Sequence, residues 1–295
     1  MTDTPVLTPL NNLSSALSGL VAKFASGIVS VHTPRSQSSG FIWRPGVVVT
    51  AEQALPEEGE VTVTLPGGDR VAAQLVGRDP TTDVALLRFD QANLQPVLLA
   101  TSPVLAGALA IAVGAEDGEP SVALGLVSRA AGPWRSMRAG ESDARIELDL
   151  RLRQSAEGGL AIDAAGKAIG MVVFGPRRRV LVIPSATIER VAAKLKSHGR
   201  VPRGYLGLGL RPIAIEGGDR SGAIVMSIDP QGPGAAAGIH QGDILVAWNG
   251  EPIRHVQSLL RALGPDSVGQ KITLELRRAG EPRQVPLTIA ERPAA

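Results

Sequence analysis

Between residues 27 and 183 the chain is a succession of short apolar runs, each followed by a turn signal. Runs at 27–32, 41–43, 46–49, 61–65, 71–76 and 84–89 are separated by segments such as Pro66-Gly67-Gly68-Asp69 and Gly77-Arg78-Asp79-Pro80. The series continues through 109–113, 122–127, 146–150, 160–163, 168–174 and 180–183. Runs of this length are too short for ordinary helices, and their regular spacing predicts an all-β barrel or sandwich. The composition agrees, because Gly 34 and Pro 22 supply turns while aromatics make up only 3%.

Helical spacing is confined to a few places. Leu13, Leu17, Leu20, Val21 and Phe24 recur at helical intervals, so residues 1–24 form an N-terminal helical segment. A second helix is predicted over 185–196, with Ser185 as N-cap and Glu189 in its first turn, closing a domain over 25–196. Residues 197–204, basic and containing Gly and Pro, read as a linker. Residues 205–293 form a module of plausible domain size. It carries the hairpin signal Asn249-Gly250 and a helical run over 255–263 that stops at Gly264-Pro265.

Composition also excludes several functions. A net charge of +2 gives no strong field for a polyanion, so no nucleic-acid partner is expected. With Cys 0 there is no disulfide, thiolate metal site or cysteine nucleophile. No metal or other cofactor is expected. The uncharged stretch 97–115 is as long as a membrane span, but it is rich in Ala, Gly, Ser and Thr and contains Pro103. It is predicted to be two buried strands around a turn, with no membrane contact. The first residues lack the basic start and apolar core of a signal peptide, which predicts a cytoplasmic location, or a periplasmic one where a leader has been removed.

Several segments, in order, resemble the HtrA/DegP family. Ser38-Ser39-Gly40-Phe41-Ile42 is similar to the family's GSGF strand start. The run Val76-Gly77-Arg78-Asp79-Pro80-Thr81-Thr82-Asp83-Val84-Ala85-Leu86-Leu87 is similar to its aspartate segment. Ser121-Val122-Ala123-Leu124-Gly125-Leu126-Val127-Ser128 and Val182-Ile183-Pro184-Ser185 resemble two further strands. The resemblance covers nearly the whole chain after the first twenty or so residues. It implies a fold dominated by β-structure: a trypsin-like double β-barrel followed by a PDZ domain, itself α+β with a partly open barrel.

The same resemblance locates a triad with two members replaced. Gln53 falls on the histidine position of the segment 46–55, and Glu157 on the serine position of Ser155-Ala156-Glu157-Gly158-Gly159. Asp83 holds the aspartate position. A Ser-His-Asp site needs a nucleophile, a base and an orienting carboxylate, so the sequence predicts a pseudoprotease, not an enzyme. Ser155 also replaces the family's glycine two residues before the nucleophile, which predicts a rebuilt oxyanion turn. Gln53 is expected to donate from its amide to Asp83 as a spacer. A two-residue slip would place Ser155 on the nucleophile position but would break the Gly158-Gly159 register. His32, His198, His240 and His255 all lie away from the site expected for a base.

For the second module the resemblance implies peptide binding. Tyr205-Leu206-Gly207-Leu208 is similar to the family's carboxylate-binding loop, and the peptide would add as a strand beside residues 208–211. Tyr205, Leu206, Gly207, Leu208, Leu210, Leu259 and Leu263 are the expected peptide-binding residues. The segment ending in Gly242-Asp243 is structural. Arg177-Arg178-Arg179 is expected at a solvated hairpin tip, its alternative role being contact with an acidic partner. Trp43 and Trp134 are expected to pack, with Trp134 in a loop. The predicted function is an inactive adaptor, scaffold or chaperone-like subunit that binds a protein C-terminus or extended peptide, within a larger complex or an oligomer. The alternatives are a serine-type endopeptidase with an unorthodox site and a purely structural subunit.

Overall fold

The computed structural model describes residues 7–91, 94–136, 138, 140–215 and 220–293. The chain divides into two compact units, Met1–Val201 and Pro202–Ala295, so the division falls inside the expected linker.

The first unit opens with α1 (Leu7–Ala25). Its strands β1 (Ile28–His32), β2 (Gln37–Arg44), β3 (Val47–Ala51), β4 (Val61–Thr64), β5 (Arg70–Asp79) and β6 (Val84–Arg88) close a barrel in the order β1-β2-β3-β6-β5-β4. There follow β7 (Leu109–Glu116), β8 (Glu119–Ala131), the short pair β9 (Trp134–Arg135) and β10 (Glu141–Ser142), β11 (Arg145–Asp149), β12 (Leu160–Asp163), β13 (Ala168–Phe174) and β14 (Val180–Pro184). A second barrel closes in the order β11-β14-β13-β12-β7-β8. All pairings within the barrels are antiparallel. Closure removes the exposed strand edges that an open sheet would leave.

The period-2 pattern explains how one strand serves two cores. Val48 joins Val29, Ile42, Val63 and Leu87 inside the first barrel. Its neighbours Val47 and Val49 turn the other way, into a layer with Phe41, Leu86, Ile111, Leu160 and Met171 between the barrels. The second barrel is filled by Ala112, Val127, Ile146, Leu148, Val172 and Val182. Helix α1 sets Leu17, Leu20 and Val21 on the middle layer, whereas Leu13, expected on the same face, is 49% exposed.

Three expectations change at this level. The helix α2 spans Ser185–His198, so it runs into the expected linker and stops where Gly199 enters the left-handed region. Its cap position is Pro184, and Ser185 is helical, its hydroxyl donating to the Ala168 carbonyl at 3.0 Å. Glu189 lies beyond the first turn and accepts from Trp43 Nε1 and Arg44 Nη2, both at 2.9 Å. The stretch 97–115 supplies one strand, β7, and its earlier part makes only a bridge from Leu99 to Ala168.

The second unit contains β15 (Gly204–Tyr205), β16 (Leu208–Ile215), β17 (Arg220–Ile228), α3 (Pro233–Ala236), β18 (Ile244–Trp248), β19 (Glu251–Pro252), α4 (Val256–Ala262), β20 (Lys271–Arg278), β21 (Glu281–Thr288) and β22 (Ala290–Glu291). The main sheet runs β16-β17-β18-β20-β21, with β19 against β18, while β15 pairs with β22. Asn249 and Gly250 take φ of 49° and 82° between β18 and β19, the turn that their sequence announces. Val225, Leu245, Leu274 and Leu276 centre the core, closed by Leu259 from α4.

Candidate functional site

The three residues expected at triad positions arrive from separate parts of the first unit. Gln53 sits on a single 3₁₀ turn, Glu52–Ala54, directly after β3. Asp83 precedes β6, and Glu157 follows a second 3₁₀ turn, Gln154–Ala156, between β11 and β12. The Glu157 carbonyl accepts the Ser39 N–H at 2.7 Å, tying this loop to β2. The buried Ser39 hydroxyl donates to the Ser155 carbonyl at 2.6 Å. Gly158 completes the turn at φ +83°, and a Cβ there would come within 2.2 Å of the Ser39 carbonyl oxygen.

The hydrogen bonds differ from the expected spacer. Asp83 Oδ1 accepts the backbone N–H of Gln53 at 2.8 Å. The Gln53 side-chain amide turns instead to Glu157 Oε1 at 2.7 Å and the Phe174 carbonyl at 2.9 Å. A carbonyl beside a carboxylate leaves room only for a donor between them, and the Gln53 amide nitrogen fills that place. Glu157, 2% exposed, also accepts from Gln154 Nε2 at 2.6 Å and from the Phe174 N–H at 3.2 Å. Its carboxylate therefore joins the β3 turn, its own turn and the end of β13.

Burial dominates the acidity of this cluster. It pushes the Asp83 carboxyl up to about 7, with the Glu157 charge adding to the shift and the Gln53 N–H opposing it. Burial likewise raises Glu157 above the usual carboxylate range, against its bonds to Phe174, Gln53 and Gln154. Asp83 holds φ at +61°, a conformation costing about 1–3 kcal/mol outside glycine. Glu52, which the sequence reading passed over, is a buried carboxylate 3.5 Å from Arg78 Nη1, its acidity weakened mainly by burial. Gln154 was also passed over. Its place three residues before Glu157 on one tight turn was the available signal.

The turn at the expected oxyanion position is occupied by its own bonds. The N–H groups of Ala156 and Glu157 donate to the carbonyls of Arg153 and Gln154 at 3.0 and 3.1 Å. Ser155 Oγ lies 3.5 Å from Glu116 Oε2. Among the described residues, no cluster of His, Cys, Asp and Glu has the placement to hold a metal ion. Nor is any helix among them long and apolar enough to cross a membrane.

Arg177 and Arg178 both take left-handed backbone angles, φ 58° and 55°, at the tip between β13 and β14. Arg178 stacks over the Phe174 ring at 4.4 Å, and Arg179 bonds Glu147 at 3.4 Å. Trp134 belongs to β9, its Nε1 donating to the Ala144 carbonyl at 3.1 Å with Arg145 over its ring, so it packs as a strand residue and not as a loop.

In the second unit, Gly207 has φ +72°, and a Cβ there would meet Gly232 Cα at 3.0 Å. The carbonyls of Leu206 and Gly207 accept the N–H groups of Gly234 and Asp229, both at 2.8 Å. Tyr205 donates its hydroxyl to Asp229 Oδ2 at 2.9 Å, so the loop's side chain and carbonyls are held from within the unit. Strand β16 stands at the end of the sheet order, and Leu208 and Leu210 are only partly buried. On α4, Leu259 is 2% exposed and belongs to the core, which removes it from the expected groove residues; Leu260 is 56% exposed and Leu263 partly buried. One helix face cannot serve both core and groove, and the core takes Leu259.

The profile of the trypsin-like peptidase domain matches residues 38–171, and that of the PDZ domain matches residues 204–289. A probable periplasmic serine endoprotease, DegP-like, of Brucella suis is 33% identical over 277 residues, covering 88% of this chain and 53% of the relative. A protein of the same description in Halomonas elongata is 31% identical over 274 residues, covering 88% of this chain and 57% of the relative. The chain spans about half the length of the curated relatives it matches. Among solved structures, the serine endoprotease from Yersinia pestis has a TM-score of 0.71 at 27% identity, over 93% of this chain and 97% of that one. The HtrA-type protease AlgW with decapeptide has a TM-score of 0.73 at 21% identity, over 94% and 99%. These findings correct two expectations. Relatives named serine endoproteases overturn the assignment as a non-enzyme, and relatives named periplasmic overturn the cytoplasmic location.

Proposed function

We propose, from the premise that this chain belongs to the HtrA/DegP family and joins a trypsin-like domain to a PDZ domain, that its second unit captures polypeptide ends. The observation carrying this reading is the loop at Gly207. Its carbonyls accept from Gly234 and Asp229, which holds the loop's shape from within the unit, and in this reading its N–H groups receive the incoming carboxylate. The rest of the peptide then extends β16, whose outer edge ends the sheet. Leu208, Leu210 and Leu263 favour an apolar C-terminal side chain, and a similar solved structure holds a decapeptide. Peptides with free apolar C-termini are expected to bind the full chain, and Gly207→Trp to weaken them at least tenfold in fluorescence anisotropy. Equal binding by the variant, or by amidated peptides, removes the reading.

A second reading is endopeptidase action at an unorthodox site, favoured by the names of the relatives and by the raised carboxyls of Asp83 and Glu157. With Asp83 titrating at about 7, neutral solution offers both protonated and ionised carboxyls in one cluster. An ionised carboxylate takes a proton from water attacking the amide, and a protonated one gives a proton to the leaving amine. Cleavage of an unfolded protein by the wild type, lost in both Asp83→Asn and Glu157→Gln but not in Ser155→Ala, is the expected result. Cleavage that vanishes with Ser155→Ala instead assigns the chemistry to that serine.

A further inference from the structure

The first unit carries a second recognition feature beside Glu157: a cavity of about 740 Å³ with a basic rim. Leu152 and Val180 are buried in its wall and Phe174 is half-buried, giving it an apolar floor. Around them stand Arg151, Arg153 and Arg178, against one acidic lining residue, Asp149. Glu157 lies just behind, bonded to Gln154 and Phe174 of the lining, and the charge of Arg178 acts on it. Glu157 is already met by three hydrogen bonds, so it does not use up the rim's arginines.

The arginines differ in how far they are committed. Arg153 faces Glu116 at 3.6 Å while 74% exposed, a weak tie. Arg178 is fixed by stacking on Phe174 and by a left-handed backbone that arginine rarely adopts. Such strain persists only where the surroundings enforce it, and it recurs at ligand clamps. Among the described residues, Arg151 forms no ion pair or hydrogen bond. An apolar floor with a rim of guanidinium groups suits a carboxylate borne on a short aliphatic stem.

We propose that this cavity binds a glutamate or aspartate side chain of an extended polypeptide, independently of the chain end taken by the second unit. The inference deepens the reading that this protein handles polypeptides, and its ligand is an internal acidic residue. A cleft of this volume exceeds what an inorganic anion needs, which favours the polypeptide as its source.

The test uses the full chain and two labelled, C-terminally amidated peptides that differ only by a central Glu or Gln, so a free chain end plays no part. The Glu peptide is expected to bind about tenfold more tightly in fluorescence anisotropy, as a charged hydrogen-bond partner requires. The preference is expected to disappear in Arg151→Glu/Arg178→Glu, to survive in Arg151→Lys/Arg178→Lys, and to shrink with added salt. Circular dichroism establishes that both double variants are folded. Gly207→Trp is expected to leave the preference intact even where it abolishes capture of free C-termini, which separates this site from the groove. Equal affinity for the two peptides, an unaltered preference in the folded charge-reversal variant, or its loss in Gly207→Trp overturns the proposal. Displacement of the Glu peptide by micromolar inorganic phosphate also overturns it, in favour of a small-anion site.

Discussion

Asp83 combines a left-handed backbone with a carboxyl raised to about 7, and the two together make pH a probe of the site. A raised carboxyl means that the folded chain binds more protons than the unfolded one between about pH 4 and 7, so this group's contribution to stability falls as pH rises through that window. Glu157 and Glu52 are raised too and act in the same direction. Asp83→Asn keeps an acceptor for the Gln53 N–H but cannot ionise. Relative to the variant, the wild type is therefore expected to lose melting temperature from pH 5 to pH 8. Parallel profiles would refute the assigned shift. That Gln53, Asp83 and Glu157 could meet was an expectation of the family resemblance, which aligns each without a gap to a triad position. Which donor meets which acceptor was not legible in the sequence, since the Phe174 carbonyl that turns the Gln53 amide comes from β13, 121 residues away.

At the scale of elements, the barrel strands follow from the spacing of the short apolar runs, whereas the helix ends do not. The second helix runs on to His198 because Leu195 is fully buried and Gly199 closes the turn. Helix α4 shows the same effect of packing over pattern. Its leucines have one spacing in the sequence, and only the sheet beneath decides that Leu259 is core and Leu260 exposed. The segment before β18 depends on a single charge pair: Asp243, 1% exposed, accepts from Arg278 Nε at 2.8 Å and Nη2 at 2.7 Å. Burial alone would raise Asp243, but the Arg278 bonds, the His240 N–H and the Arg278 charge hold it below the usual range. Its stabilising contribution is thus present at neutral pH and lost as pH falls through that lowered value. Asp243→Ala removes the acceptor of two Arg278 bonds and of the His240 N–H, and is expected to lower the urea midpoint of the second unit.

The whole molecule has separate apolar cores in its two units, so each substitution should be felt locally. Asp243→Ala is expected to lower one unfolding transition and leave the other in place. Glu157→Ala strips three donors of their buried acceptor, and is expected to lower the other transition by about 2–4 kcal/mol. Glu157→Gln, which keeps one acceptor oxygen, is expected to cost less. Calorimetry with tryptophan fluorescence measures both, and a substitution that moves both transitions equally would show that the units unfold as one.

The amino-acid sequence by itself determined a β-rich first unit, because short, regularly spaced apolar runs are a local signal, and its resemblance to the HtrA/DegP family added the double barrel, the PDZ domain and the reading of Gln53 and Glu157 as replacements at two positions of a Ser-His-Asp site. Only the tertiary structure decided the partners of Gln53, the burial that lifts Asp83 to about 7, and the gathering of Arg151, Arg153 and Arg178 around one cavity. The reason is distance along the chain. Hydrogen-bond partners, desolvation and summed charge are properties of groups that closure of the barrels brings together, and no local pattern encodes them.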